Sequence, residues 1–199
     1  MISAKFNTLC RMQLDISEHL PILSMYASKC LHVTECGVRA AVSSYAFANG
    51  LVGKQGAKLI QVDTDSHQNI IEFQSIAKAA GLETTFYQQS DLECPMENTD
   101  ILFIDTWHVY GQLKRELDRW HTYAQKYIIL HDTTVDEIYG ETIRMGCDAQ
   151  AQSKSSGIPI HEIRKGIWPA VDEFLQTHSE WKLELRMFNN NGLTVLARH

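Results

Sequence analysis

Residues 101–132 read ILFIDTWHVYGQLKRELDRWHTYAQKYIILHD, and this stretch decides the fold. Ile101 to Ile104 is apolar without alternation and ends on Asp105. Tyr127 to Leu130 is a second such run, ending on His131-Asp132. Apolar runs without alternation mark strands covered on both faces, as in a parallel sheet. Between them, from Tyr110 to Tyr123, Leu113, Leu117 and Trp120 share one helical face while Lys114, Arg115, Asp118 and Arg119 point away. The unit is strand, amphipathic helix, strand.

Working outward, the unit repeats. His32–Glu35, Lys58–Val62 (followed by Asp63) and Thr84–Gln88 read as strands, with equal spacing between their starts at 32, 58 and 84. Gln68 to Ala80 reads as a helix closed by Gly81. Trp168 to Thr177 starts on Trp168-Pro169, with proline in the first turn. Lys182–Phe188 and Leu193–Ala197 flank Asn189-Asn190-Asn191-Gly192, a hairpin signature. The expected fold is α/β, a doubly wound, Rossmann-like and mostly parallel sheet ending in an antiparallel hairpin. One domain spans 1–199, with an N-terminal helical segment at 1–31. Residues 133–165, which include Ser153-Lys154-Ser155-Ser156-Gly157, show no long periodic element and are expected to form an irregular lid or substrate segment.

Composition narrows the function. Eighteen Lys plus Arg against 24 Asp plus Glu give a net charge of −6, which argues against a broad nucleic-acid-binding face. No apolar run approaches the roughly 18 residues of a membrane span. The first 21 residues lack the apolar stretch of a signal peptide. Cysteines 10, 30, 36, 94 and 147 are odd in number and contain no CxxC pair, so a reducing, cytoplasmic setting is expected.

Ligands of such sheets bind beyond the carboxyl ends of the strands. Those ends carry Glu35, Asp63, Ser90-Asp91, Asp105 and His131-Asp132. The first turn, Glu35-Cys36-Gly37-Val38-Arg39-Ala40-Ala41-Val42-Ser43-Ser44, is neither the GxGxxG of nicotinamide enzymes nor a phosphate loop. A neutral cradle behind an acid suits a nucleoside carrying positive charge. Asp63 stands where a carboxylate takes ribose hydroxyls, or where Asp63, Asp65 or Ser66 caps the next helix. Asp105-x-x-His108 places a carboxylate and an imidazole on one turn, and with His131-Asp132 it offers ligands for a divalent cation. The oxygens suit magnesium, and the histidine favours manganese.

Plainer roles stand beside these. His108 can be a residue packing beside Trp107, and His131 can hydrogen-bond a backbone carbonyl and orient Asp132. His19 reads as packing, His121 and His178 as solvated helix faces, and His161 and Glu141 as lid residues. Arg39 pairs with Glu35 or faces substrate, and Trp107 and Trp168 wall a pocket or fill core.

The stretches HVTECGVRAAVSS, QVDTD, DILFIDTWHVYGQLKREL and YIILHDTT resemble class I S-adenosylmethionine-dependent methyltransferases. The nearest branch groups sugar and natural-product O-methyltransferases with cephalosporin hydroxylase-like proteins. Matching segments run from Glu18-His19-Leu20-Pro21 to Asn191-Gly192-Leu193-Thr194. The resemblance implies seven strands with the last pair reversed, and S-adenosylmethionine over the first two strand tips. It places Glu35, Gly37, Val38 and Ser43 at the cofactor, Asp63 at the ribose, and Ser90-Asp91 at the adenine. It makes Asp105 a metal carboxylate that also borders the cofactor, His108 the general base, and Asp132 with His131 the remaining metal ligands. Two positions depart from the family: Ala41 replaces a frequent glycine, and His131 replaces an acid. The expected activity is methyl transfer to a hydroxyl of a small molecule or glycan, with magnesium or manganese assisting. The alternatives are a catalytically silent binding module, a phenolic or nucleic-acid acceptor, and a nicotinamide-dependent oxidoreductase, the last disfavoured by the missing glycines.

Overall fold

The computed structural model describes residues 1–199. Two helices, α1 (Ile2–Leu9) and α2 (Leu20–Ser28), precede β1 (His32–Cys36), α3 (Val42–Leu51), β2 (Lys58–Asp63), α4 (Gln68–Ala79) and β3 (Glu83–Gln88). Then come β4 (Thr99–Ile104), α5 (Tyr110–Trp120) and β5 (Ala124–His131). Three short helices follow, α6 (Glu141–Arg144), α7 (Ala149–Ser156) and α8 (Ile160–Arg164). The chain closes with α9 (Trp168–Thr177), β6 (Trp181–Met187) and β7 (Leu193–Arg198).

The seven strands lie in the order β3-β2-β1-β4-β5-β7-β6. The first five are parallel, and β7 inserts antiparallel between β5 and β6. Strand order reverses between β1 and β4, so the loops after these strands open a crevice at that point. Their register puts Cys36 beside Ile104, which brings Gly37 and Asp105 together. Two cores sandwich the sheet. One packs Leu20, Leu23, Phe47 and Phe73 of α2–α4 on Leu59, Ile101 and Phe103. The other packs Leu113, Leu117 and Trp120 of α5 and Val171 and Phe174 of α9 on Leu102, Ile128 and Leu130. No helix is long and apolar enough to cross a membrane.

Segment 133–165 is more regular than its sequence reads. Its helices span only four to eight residues, too few turns to display a hydrophobic period. The Asp148 carboxylate accepts from the Gln150 and Ala151 amides at 2.9 and 3.1 Å, and Gly157 ends α7 with φ 73°. Ala149, Ile158 and Ile163 enclose a small core with Val109. His121 and His178 are not free solvated faces either. Their Nδ1 atoms donate to the carbonyls of Leu117 and Phe174 at 2.9 and 3.0 Å, and both rings pack on Phe174.

Candidate active site

At the switch point the chain turns on Gly37. A Cβ there would fall 1.9 Å from the Asp105 carbonyl, so only glycine allows the β1 and β4 tips to meet. Arg39 and Ala41 hold φ of 47° and 58°, the left-handed region that glycine occupies without strain. The Asp63 carboxylate braces this loop from β2. Its Oδ2 accepts from the Val38 and Arg39 amides, both at 2.8 Å, and its Oδ1 accepts from Asp65 N at 3.0 Å. Helix α4 starts at His67 with no side-chain cap, so Asp63, Asp65 and Ser66 do not cap it. Two carboxylate oxygens offer about four acceptor positions, which leaves Asp63 capacity for a hydroxyl.

Glu35 corrects an expectation. It lies beneath the loop, fully buried, and its oxygens accept from Ser43 Oγ at 2.5 Å, Ser44 Oγ at 2.6 Å and Gln61 Nε2 at 3.3 Å. Glu35 borders neither cavity and supports the loop from beneath instead of lining the site. Burial, partly offset by these hydrogen bonds, raises its pKa to about 7. Arg39 consequently does not pair with Glu35; its guanidinium is exposed and lies 3.5 Å from Asp15.

Two cavities of about 670 and 420 Å³ share Gly37, Arg39, Asp105 and Thr106 as a common wall. The larger lies over β1, β4 and β5 and is bordered by Val38, Ser43, His108, Asp132, Glu141 and Arg144. The smaller lies over β2 and β3 and takes in Asp63, Ser90, Asp91, Trp107 and Gln112. Trp168 borders neither, because it stacks under the Arg186 guanidinium at 3.4 Å.

His108 borders the larger cavity. Its Nε2 lies 3.0 Å from Asp105 Oδ1, and its Nδ1 lies 3.2 Å from Asp132, 3.6 Å from Asp136 and 3.5 Å from Glu141. Burial alone would lower its pKa; the Asp105 hydrogen bond and the surrounding carboxylates raise it instead. His131 Nδ1 sits 3.5 Å from Asp105 and 3.0 Å from Asp132. Burial opposes its protonation too, yet the Asp105 and Asp132 charges bring its pKa to about 10. The same two histidines hold Asp105 well below the usual carboxylate range against the opposing effect of burial. Asp132 adopts φ 57°, turning its carboxylate toward His108. Behind His131, His19 is fully buried and meets it edge-on at 5.3 Å; burial and this neighbour lower the His19 pKa to about 4.

Ligand atoms of Asp105, His131 and Asp132 all lie within 4.8 Å of one another, as do those of His108, Asp132 and Asp136. The first set offers two carboxylates and an imidazole, donors that fit a hard or borderline divalent cation. In the second, Asp136 is already held at both oxygens by Arg144, at 2.7 and 2.8 Å. Sequence reading missed Asp136 and Arg144. The only available signal was an acid four residues beyond Asp132, in a segment that read as irregular.

No family model matches the chain, and no curated protein matches its sequence. Solved structures do. The O-methyltransferase TomG from Streptomyces achromogenes, involved in tomaymycin synthesis and solved with S-adenosylmethionine, aligns with a TM-score of 0.60 at 11% identity, over 92% of this chain and 80% of that one. An O-methyltransferase from Bacillus cereus bound to S-adenosylhomocysteine gives 0.58 at 14% identity, over 92% and 81%. The methyltransferase PaMTH1 of Podospora anserina, also bound to S-adenosylhomocysteine, gives 0.56 at 13% identity, over 100% and 87%. At these identities the likeness is one of fold: the chain is built on the seven-stranded architecture that these methyltransferases share.

Proposed function

We propose that the protein is an S-adenosylmethionine-dependent O-methyltransferase acting on a hydroxyl of a small molecule or glycan. The observation that carries this reading is the His108 ring, which borders the larger cavity and is held between Asp132 and Asp105, the latter on the wall that the two cavities share. The smaller cavity takes the nucleoside, with Asp63 and Ser90 beside it and a surplus of acid that suits a cationic sulfonium. The larger takes the acceptor.

His108 removes the proton from the acceptor hydroxyl. The freed oxygen pair forms the new O–CH3 bond as the C–S bond breaks in line, leaving S-adenosylhomocysteine. Asp105 orients the imidazole and stabilises its protonated form after transfer. Asp105, His131 and Asp132 would hold magnesium or manganese, which when bound supplies positive charge that lowers the acceptor pKa. Calorimetric titration with S-adenosylmethionine and S-adenosylhomocysteine, with and without each metal, tests the reading. Binding in the micromolar range is expected, and no binding under any condition would overturn it. Turnover indifferent to both metals and to chelator would remove only the metal.

A further inference from the structure

Helix α5 carries an acid on its apolar face. Glu116 follows Leu113 and precedes Leu117 and Trp120 on the side turned to the sheet, and it is fully buried. It stands beside Asp91, which lies just beyond β3 and is also buried, and the remaining oxygens of the pair, Glu116 Oε2 and Asp91 Oδ2, are buried with no other hydrogen-bond partner. The Gln112 amide donates 2.8 Å to Glu116 and 3.4 Å to Asp91, and Thr106 Oγ1 donates 2.5 Å to Glu116 from the β4 tip. No cation neutralises the pair. Arg119, the nearest, gives its Nε and Nη2 to the backbone carbonyls of Asp91 and Cys94 at 3.2 and 2.7 Å. The other titratable neighbours are the buried thiols Cys36, at the β1 tip, and Cys94, together with His108 and His131, which line a void of about 10 Å³ with Glu116 beyond Thr106. Two buried carboxyls in contact without a cation cannot both ionise.

We propose that Asp91 and Glu116 share one proton, and that Glu116 is a positioning residue fixing Asp91 as the far wall of the smaller cavity. Geometry supports this from the backbone side as well. Arg119 and Trp120 Nε1, the latter at 3.1 Å, both donate to the Asp91 carbonyl, so one face of α5 grips the loop at backbone and side chain together. The helix that grips this wall begins two residues after His108, which couples the nucleoside wall to the base through one rigid element. Burial first, and then the Asp91 charge, push the Glu116 carboxyl well above its ordinary range. A carboxyl raised in the folded state loses its proton only as pH rises through that folded value, so the wall weakens toward alkaline pH. The proposal rests on the methyltransferase reading only for the identity of the ligand.

The test compares S-adenosylhomocysteine binding by calorimetry in wild type, Glu116→Gln and Glu116→Ala from neutral to alkaline pH. Wild type should lose affinity toward alkaline pH. Glu116→Gln, whose amide is a permanent donor to Asp91, should bind within about twofold of neutral wild type and show no alkaline loss. Glu116→Ala should bind about tenfold more weakly and exchange its amides faster over residues 90–94. Equal weakening in both variants, or an alkaline loss retained in Glu116→Gln, overturns the proposal. If none of the three proteins binds, the methyltransferase reading fails instead. Infrared titration of the unliganded proteins then decides: a protonated-carboxyl band in the difference spectrum of wild type minus Glu116→Gln, in which the Glu35 carboxyl cancels, supports the shared proton, and no such band refutes it. That comparison also serves should Glu116→Ala not fold.

Discussion

Within the site, His108 and Glu35 show how far residue identity can be read without coordinates. The Asp105-x-x-His108 spacing was legible because both ends fall on one turn after a strand, whatever the side chains then touch. Replacing His108 by Ala should lower turnover by about 10²–10⁴-fold. Affinity for S-adenosylhomocysteine should hold within a fewfold, read by single-turnover rates beside calorimetry. Glu35 was legible as a strand-end acid but not in its direction, since Ser43, Ser44 and Gln61 converge on it only in three dimensions. Its raised pKa has a measurable consequence. The folded protein retains the proton between pH 4.5, where the free carboxyl titrates, and about 7. Stability therefore falls across that window, by roughly 3 kcal/mol. Glu35→Gln has no such proton to lose. Its urea-unfolding free energy should gain on wild type as pH rises through the window and run parallel above it; parallel curves throughout would remove the argument.

Among the elements, the loop after β1 is the one whose conformation the sequence disguises. The residues at 39 and 41 occupy left-handed backbone as Arg and Ala, so the bend exists without its usual glycines. Asp63 explains how, because its two hydrogen bonds from the Val38 and Arg39 amides hold the bend from the neighbouring strand. A left-handed non-glycine residue costs about 1–2 kcal/mol, and asparagine tolerates the region better. Arg39→Asn should raise stability by about 0.5 kcal/mol, since the exposed contact with Asp15 contributes little. Gly37→Ala should do the opposite. With its Cβ driven into the Asp105 carbonyl, it should cost at least about 2 kcal/mol and remove turnover by displacing Asp105. Equilibrium denaturation checks both. Strands and long helices were readable here because their periods repeat over several turns. Glu116 was missed, although it is an acid at a position where α5 should be apolar, and its meaning needs Asp91, which lies 25 residues earlier in the chain.

For the whole molecule, the class of sheet was the legible part. The alternation of runs points to a parallel sheet and the Asn-Gly turn to the β6–β7 hairpin, whereas the insertion of β7 between β5 and β6 is seen only in the structure. What escaped was the helical make-up of the segment expected as an irregular lid, the roof over the larger cavity, because α6, α7 and α8 are too short to announce themselves and pack mostly on one another and on α5. Their core of Val109, Ala149, Ile158 and Ile163 stands apart from the two that flank the sheet. A small separate core opens more readily than the body it covers. Within the roof, Glu141 and Arg144 reach the cavity, while Asp136 ties Arg144 to the His108 side. Ile163→Ala removes a fully buried side chain from that core, at a local cost of about 2–4 kcal/mol. Because the two main cores do not contain Ile163, amide exchange should quicken over 141–164 and stay unchanged in β1, β4 and β5. Affinity for S-adenosylhomocysteine should be retained, since the smaller cavity is bounded by the β1–β4 loops and the start of α5 and by none of 133–165. The KM for a hydroxyl acceptor should rise severalfold, since the roof borders only the larger cavity. A loss of nucleoside affinity equal to the rise in KM would mean that the roof and the nucleoside wall open as one unit rather than two.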